Sequence, residues 1–215
     1  MIEKGADVNA QGGKYGNALQ AASYMGHKAI AKLLVEKGAD VSAQGGEYED
    51  PLHAALYKGH EEIAKLLIAK GADVNAQVQH CIKSQLNYGN ALQAASCGGF
   101  EAIAKLLVER GADINAQGGY YGNALQAALA EDHEAIAKLL VEKGADINAK
   151  GGYYGNALQA ALYRGHGAIV KLLVEKGADV NAQGGRFGTV IGAALLARLL
   201  MKKGADSNPQ KYWQV

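Results

Sequence analysis

Four histidines, His27, His60, His133 and His166, each stand just before an apolar run. Imidazoles are the usual metal ligands and general bases, so their chemistry is the first to test. Each opens what reads as a second helix in a repeated unit, and a regular structural role explains all four without catalysis. The adjacent donors His80 and Cys81 do not complete a metal site, because no second pair stands at ligand spacing. No nucleophile, base and orienting group stand at a recognisable spacing, and there is no phosphate loop. The residues therefore point away from an enzyme and call for no metal or cofactor. Side chains able to contact a partner become the candidates instead.

Charge narrows that partner. Twenty-two Lys and Arg face 21 Asp and Glu, so no basic surplus exists to release counterions from a nucleic acid or to hold an anionic membrane. Neither is an expected partner. No stretch approaches the roughly 20 apolar residues of a membrane span, and the start lacks the apolar core of a signal peptide. Two cysteines, Cys81 and Cys97, fit a reducing intracellular compartment, the cytoplasm first and the nucleus left open. Their spacing leaves a disulfide between them open.

The elements that must position the candidates come from a repeat. Gly-Ala-Asp recurs at Gly5, Gly38, Gly71, Gly111, Gly144, Gly177 and Gly204. A period near 33 residues marks supersecondary units that must stack to bury their apolar faces. Within residues 15–40, Asn17 reads as a helix N-cap, with Gln20 placed to return a bond to its backbone in a capping box. The first helix runs to about Met25, Gly26 supplies a left-handed turn, and His27 opens a second helix whose Ile30, Leu33 and Leu34 share a face. Gly38 ends it. Ala21 and Ala22 are small enough for close helix approach. Such short helices are marginal alone and must be held by their neighbours.

The segments NALQAAS, Gly26-His27 and LLVEKGADVSA resemble the ankyrin repeat, over essentially the whole chain. Asp50-Pro51-Leu52-His53 is closest to the family form, while Gly12-Gly13-Lys14-Tyr15-Gly16 departs from it at the hairpin. The GGxYGNALQAA wording resembles arrays attached to large fungal NLR-type regulatory proteins, which implies a sensor or adaptor role. The resemblance implies an all-α fold, an ankyrin-repeat solenoid of stacked helix-turn-helix units with hairpin or loop fingers. It also implies a non-catalytic protein-interaction scaffold.

One ankyrin-repeat domain over residues 1–215 is expected. It has a partial start (1–14), units near 15–40, 48–73, 88–113, 121–146 and 154–179, a shortened terminal unit (187–206) and a tail (207–215). The terminal unit lacks six residues between Leu195 and Leu196, so Val190 to Lys203 should form one helix or a broken one. Met1 to Lys4 match the last turn of a second helix, so an uncapped edge open to self-association is expected at that end. A seven-residue excess before Tyr88, within 78–87, lengthens one hairpin; neutral insertion and binding loop both remain open.

In this family the hairpin tips and the exposed side of the first helix form a concave binding surface. The residues here that fall on it are Tyr24, Glu47, Tyr48, Glu49, Tyr57, Lys58, His80, Tyr88, Cys97, Tyr121, Glu131, Tyr154, Tyr163, Arg164 and Arg186. Tyr24, Tyr57 and Tyr163 vary from unit to unit and are the stronger contact candidates. Tyr15, Tyr48, Tyr88, Tyr121, Tyr154 and Phe187 occupy one place in every hairpin, which favours a structural ladder over contact. An alternative is a small-molecule or unorthodox catalytic site in a hollow near Cys97, bordered by Tyr57, Tyr88 and Glu131. On the second helices Glu61 with Lys65, Glu101 with Lys105 and Glu134 with Lys138 are expected to pair at four-residue spacing.

Overall fold

The computed structural model describes residues 5–78 and 88–190. Met1 to Lys4, the inserted segment with His80 and Cys81, nearly all of the terminal unit and the tail lie outside them. The chain forms two compact units, Met1–Asp113 and Ile114–Val215. Among the described residues the regular elements are ten helices. The first unit contains α1 (Ala18–Met25), α2 (Lys28–Glu36), α3 (Pro51–Tyr57), α4 (Glu61–Ala69), α5 (Ala91–Gly98) and α6 (Glu101–Glu109). The second contains α7 (Ala124–Ala130), α8 (Glu134–Glu142), α9 (Ala157–Arg164) and α10 (Gly167–Glu175).

Each first helix starts where an Asn or Asp takes extended backbone and caps the third residue on. Asn17 Oδ1 accepts from the Gln20 backbone N–H at 2.8 Å, and Asn90, Asn123 and Asn156 repeat the bond. The reciprocal half differs from the expected capping box: it is complete at Asn90 and Gln93. The Gln20 amide instead donates to the carbonyls of Ala43, Gly45 and Glu49 in the following hairpin. With its Nε2 held on these three carbonyls, the Gln20 Oε1 does not reach the Asn17 N–H, so this side chain ties two repeats together rather than closing one helix end.

With seven to nine residues each, these helices depend on packing. In the first unit α1 packs on α3 and α3 on α5; in the second α7 packs on α9. Leu19, Leu52 and Leu92, and separately Leu125 and Leu158, fill the layers between first helices, each at 2% exposure or less. Burial of each contributes about 1.5–3 kcal/mol. Ala22, Ala55 and Ala95, with Ala128 and Ala161, permit the close approach and are buried too. Ile63, Ile103, Ile136 and Ile169 seal the second helices. Ile30, at the same place in α2, is 50% exposed and Leu33 45%, so the apolar face expected there is open and only Leu34 is covered.

Two further ties set the period. The Asn of a GADxNA segment bridges to the next segment: Asn148 donates to the Gly177 carbonyl at 3.0 Å and accepts from the Asp179 N–H at 2.8 Å. Asn9, Asn75 and Asn115 do the same. Ser42, standing where an Asn would, keeps one bond, from the Asp73 N–H. Hairpin backbones also join, with Glu47 N–H donating to Lys14 O, Tyr153 to Tyr120 and Arg186 to Tyr153. Of the three expected ion pairs one forms among the described residues, and Glu101 and Lys105 do not meet. Glu134 and Lys138 pair at 3.4 Å, but Lys65 chooses Glu62, at 2.9 Å, over Glu61. Glu62 also binds Lys28 of α2.

Candidate functional site

The hairpins and first helices hold the aromatic candidates in stacked columns. In the first unit Tyr15 stacks on Tyr48 at 6.4 Å, and Tyr24 inserts between them, 5.1 Å from Tyr15 and 4.5 Å from Tyr48. Tyr57 continues the strip at 6.3 Å from Tyr24 and meets Tyr88 edge to face at 6.3 Å. Tyr15, Tyr24, Tyr57 and Tyr88 are half-buried, whereas Tyr48 is 3% exposed. Hydrogen bonds with Tyr48 and Lys58 hold the Tyr24 phenol below its ordinary value, while burial pushes Tyr48 up.

Lys58 is exposed and stands 4.9 Å over the Tyr24 ring and 5.4 Å over the Tyr57 ring. It makes no ion pair among the described residues. An ammonium held on two ring faces is pre-placed for an anionic group. Lys14 sits over Tyr15 and 3.8 Å from Glu47. Glu49, half-buried, holds a left-handed φ of 62° where the other hairpins carry glycine. Cys97 is half-buried in α5.

The second unit departs from expectation. Tyr121, Tyr154 and Tyr163 are each 4% exposed. They form an interior column in which Tyr121 stacks on Tyr154 at 6.3 Å and Tyr163 on Phe187 at 4.7 Å. Burial pushes the Tyr154 phenol up. These three, and Tyr48, are corrected from contact residues to packing residues. The ladder reading holds for Tyr48, Tyr121 and Tyr154. Tyr163 falls with them because the Phe187 ring closes over it, and Phe187 belongs to a hairpin beyond its own repeat.

Glu131 and Arg164 also turn to each other. Tyr121 donates a short hydrogen bond to Glu131, Arg164 lies 3.8 Å from the same carboxylate, and the Arg164 side chain is only 6% exposed. Sequence reading takes them as separate contacts, although one repeat apart at the same place they form a bridge.

It also passes over an outer column. Tyr120 and Tyr153, each just before a ladder residue, stack at 5.0 Å, and the Arg186 guanidinium lies 5.3 Å from the Tyr153 centroid while donating to its hydroxyl. Tyr120 is 36% exposed, with its phenol pushed by burial to about 12. The doubled Tyr-Tyr after each Gly-Gly, present in these two hairpins alone, is the signal that could have found it. His80 lies outside the described residues.

The family profile described as "Ankyrin repeats (3 copies)" matches residues 1–78, 48–118, 76–151 and 121–184. The chain belongs to the ankyrin-repeat family. It is similar in fold to the crystal structure of the human ASB11 ankyrin repeat domain, with a TM-score of 0.75 and 22% identity over 94% of this chain and 89% of that one. A search of curated proteins found no match. Ankyrin repeats are generally protein-interaction scaffolds, typically without catalysis. Among the described residues no helix is long and apolar enough to cross a membrane.

Proposed function

We propose that the protein is a non-catalytic scaffold that takes a segment of a partner protein along the half-buried strip Tyr15, Tyr24 and Tyr57 of the first unit. The observation that carries this is Lys58, seated over two tyrosine faces and not neutralised by a carboxylate. A fitting segment presents an acidic side chain to Lys58 beside an apolar or aromatic one on the rings, since tyrosine offers large contact area at little conformational cost. Glu47, Glu49 and Tyr88 border the strip, and Glu131 and Arg164 act as supports within their own unit. With two cysteines in the chain, the cytoplasm is the proposed place of work.

Panning a random-peptide display library against the purified chain tests this. Selected peptides should carry an acidic residue next to an aromatic or aliphatic one, and Lys58→Glu should abolish their binding. Enrichment of unrelated sequences, or equal binding by the variant, refutes it.

A second contact follows from α2, whose Ile30 and Leu33 are open where Ile63, Ile103, Ile136 and Ile169 are covered. Self-association through this face predicts a concentration-dependent rise in sedimentation coefficient that Ile30→Glu removes. A chain that stays monomeric at every concentration rules it out.

A further inference from the structure

A buried phenol is oxidised readily only where its proton has somewhere to go, because the cation left by the loss of one electron is a strong acid. The tyrosines of the second unit differ in this respect. Tyr121, 4% exposed, donates its hydroxyl hydrogen bond to one oxygen of Glu131, and Arg164 lies 3.8 Å from the other, Oε2. A carboxylate only accepts, so the phenol proton already points at a base. Tyr154, equally buried, has no hydrogen bond at its hydroxyl among the described residues, and the Tyr153 hydroxyl receives one from Arg186.

Tyr120 is the way in. It is 36% exposed, meets Tyr121 edge to face at 5.0 Å and stacks on Tyr153 at 5.0 Å. Rings this close exchange electrons without a bridging group. The charges beside them set the direction. The Arg186 guanidinium, 5.3 Å from the Tyr153 centroid, opposes removal of an electron from that ring, since a cation is held by the π-electrons it faces. Glu131 acts in the opposite sense at Tyr121. An electron vacancy formed on the outer column is therefore drawn away from Tyr153, through Tyr120, to Tyr121. In the first unit Lys14 lies over Tyr15, and Lys58 over Tyr24 and Tyr57, so those rings are guarded by cations as Tyr153 is.

We propose that Tyr121 is a one-electron redox site, reached through Tyr120 and served by Glu131 as proton acceptor. This goes beyond partner binding and does not depend on it. The substrate class is a diffusible one-electron oxidant, either a small oxygen-centred radical or a high-potential metal complex. The oxidant takes one electron from the outer column at Tyr120, and Tyr121 replaces it, so that Tyr120 keeps its proton across the two transfers. As Tyr121 gives up its electron its O–H bond breaks and the proton passes to Glu131. The products are a neutral tyrosyl radical, a carboxylic acid and the oxidant reduced by one electron. Arg164 then faces an uncharged acid, which favours return of the proton when an outside thiolate supplies an electron. Buried in the inner column, the radical is shut off from coupling to a second chain, as a radical on the exposed Tyr120 would not be.

The test generates tris(bipyridine)ruthenium(III) photochemically beside the full chain and follows tyrosyl radicals by electron paramagnetic resonance and transient absorption. Wild type is compared with Tyr121→Phe, Glu131→Gln and Tyr120→Phe, and thermal midpoints establish that each variant is folded. Wild type should give a long-lived tyrosyl signal that forms more slowly in deuterium oxide, because the proton moves with the electron. Tyr121→Phe should lose that signal. Glu131→Gln, which keeps the shape of the side chain and removes the base, should lose it too, and Tyr120→Phe should form it more slowly. A long-lived signal unchanged in Tyr121→Phe or in Glu131→Gln overturns the proposal. The wild-type measurements stand without the variants: a radical that decays as fast as that of free tyrosine, or that forms at one rate in both solvents, also overturns it.

Discussion

At the scale of single residues, the second repeat carries a built-in experiment, because Asp50 and His53 replace the Asn and Gln of the other repeats. His53 Nδ1 stands 2.6 Å from Asp50 Oδ2, with both side chains at 7% exposure or less. Burial pushes the Asp50 carboxyl up, but the His53 charge and hydrogen bonds from His53 and the Leu52 and His53 backbone N–H groups outweigh it, and the carboxyl is held below its ordinary value of 3.8. A carboxylate favoured in this way stabilises the fold above that ordinary value and ceases to do so as pH falls below it. The double change Asp50→Asn with His53→Gln should flatten the acid limb of the stability profile measured by denaturant titration. Asp50→Ala should cost about 1 kcal/mol at neutral pH through the lost cap. An unchanged acid limb in the double variant would remove Asp50 from the account.

At the scale of elements, the hairpin fingers depend on glycine at one place more than at another. Gly152 has a φ of 64°, and a Cβ there would land on the Tyr121 backbone; Gly12 has open space around it. Gly152→Ala should therefore cost about 1–3 kcal/mol in thermal unfolding through overpacking, while Gly12→Ala stays near neutral. Equal effects would mean that the fingers do not pack as described.

The helices were legible because their signals are local. An Asn three residues before a Gln, a run of alanines and a closing glycine decide a cap, a close-packed face and a stop within one unit. The binding strip was legible only in part. Tyr24, Tyr57 and Lys58 remain accessible, as their variation from unit to unit suggests. Tyr163 varies as well, yet Phe187 covers it, and nothing within its own repeat records that. The Glu131–Arg164 bridge and the Gln20 tie fail for the same reason: each partner belongs to another repeat, so only the stacking reveals the pairing.

At the scale of the whole molecule, the two units share one construction and differ in what they display. In the first, Lys14, Glu47 and Lys58 set charge around half-buried tyrosines; in the second, Tyr120, Tyr153 and Arg186 form an outer column over an interior one. Layers are held by leucine, isoleucine and alanine in both, which leaves the display side able to change without loss of the fold. Holding is thus kept separate from displaying. The separation is tested most directly by measuring, in one series, the affinity for a library-selected peptide and the thermal midpoint of Tyr24→Ala, Tyr57→Ala, Lys58→Ala, Leu52→Ala and Ile103→Ala. The strip variants should lose about tenfold or more in affinity, equivalent to ~1.4 kcal/mol, and change the midpoint little, while the two core variants should lose about 2–5 kcal/mol of stability. Strip variants that unfold as readily as the core variants, or that bind as tightly as the parent, would contradict it.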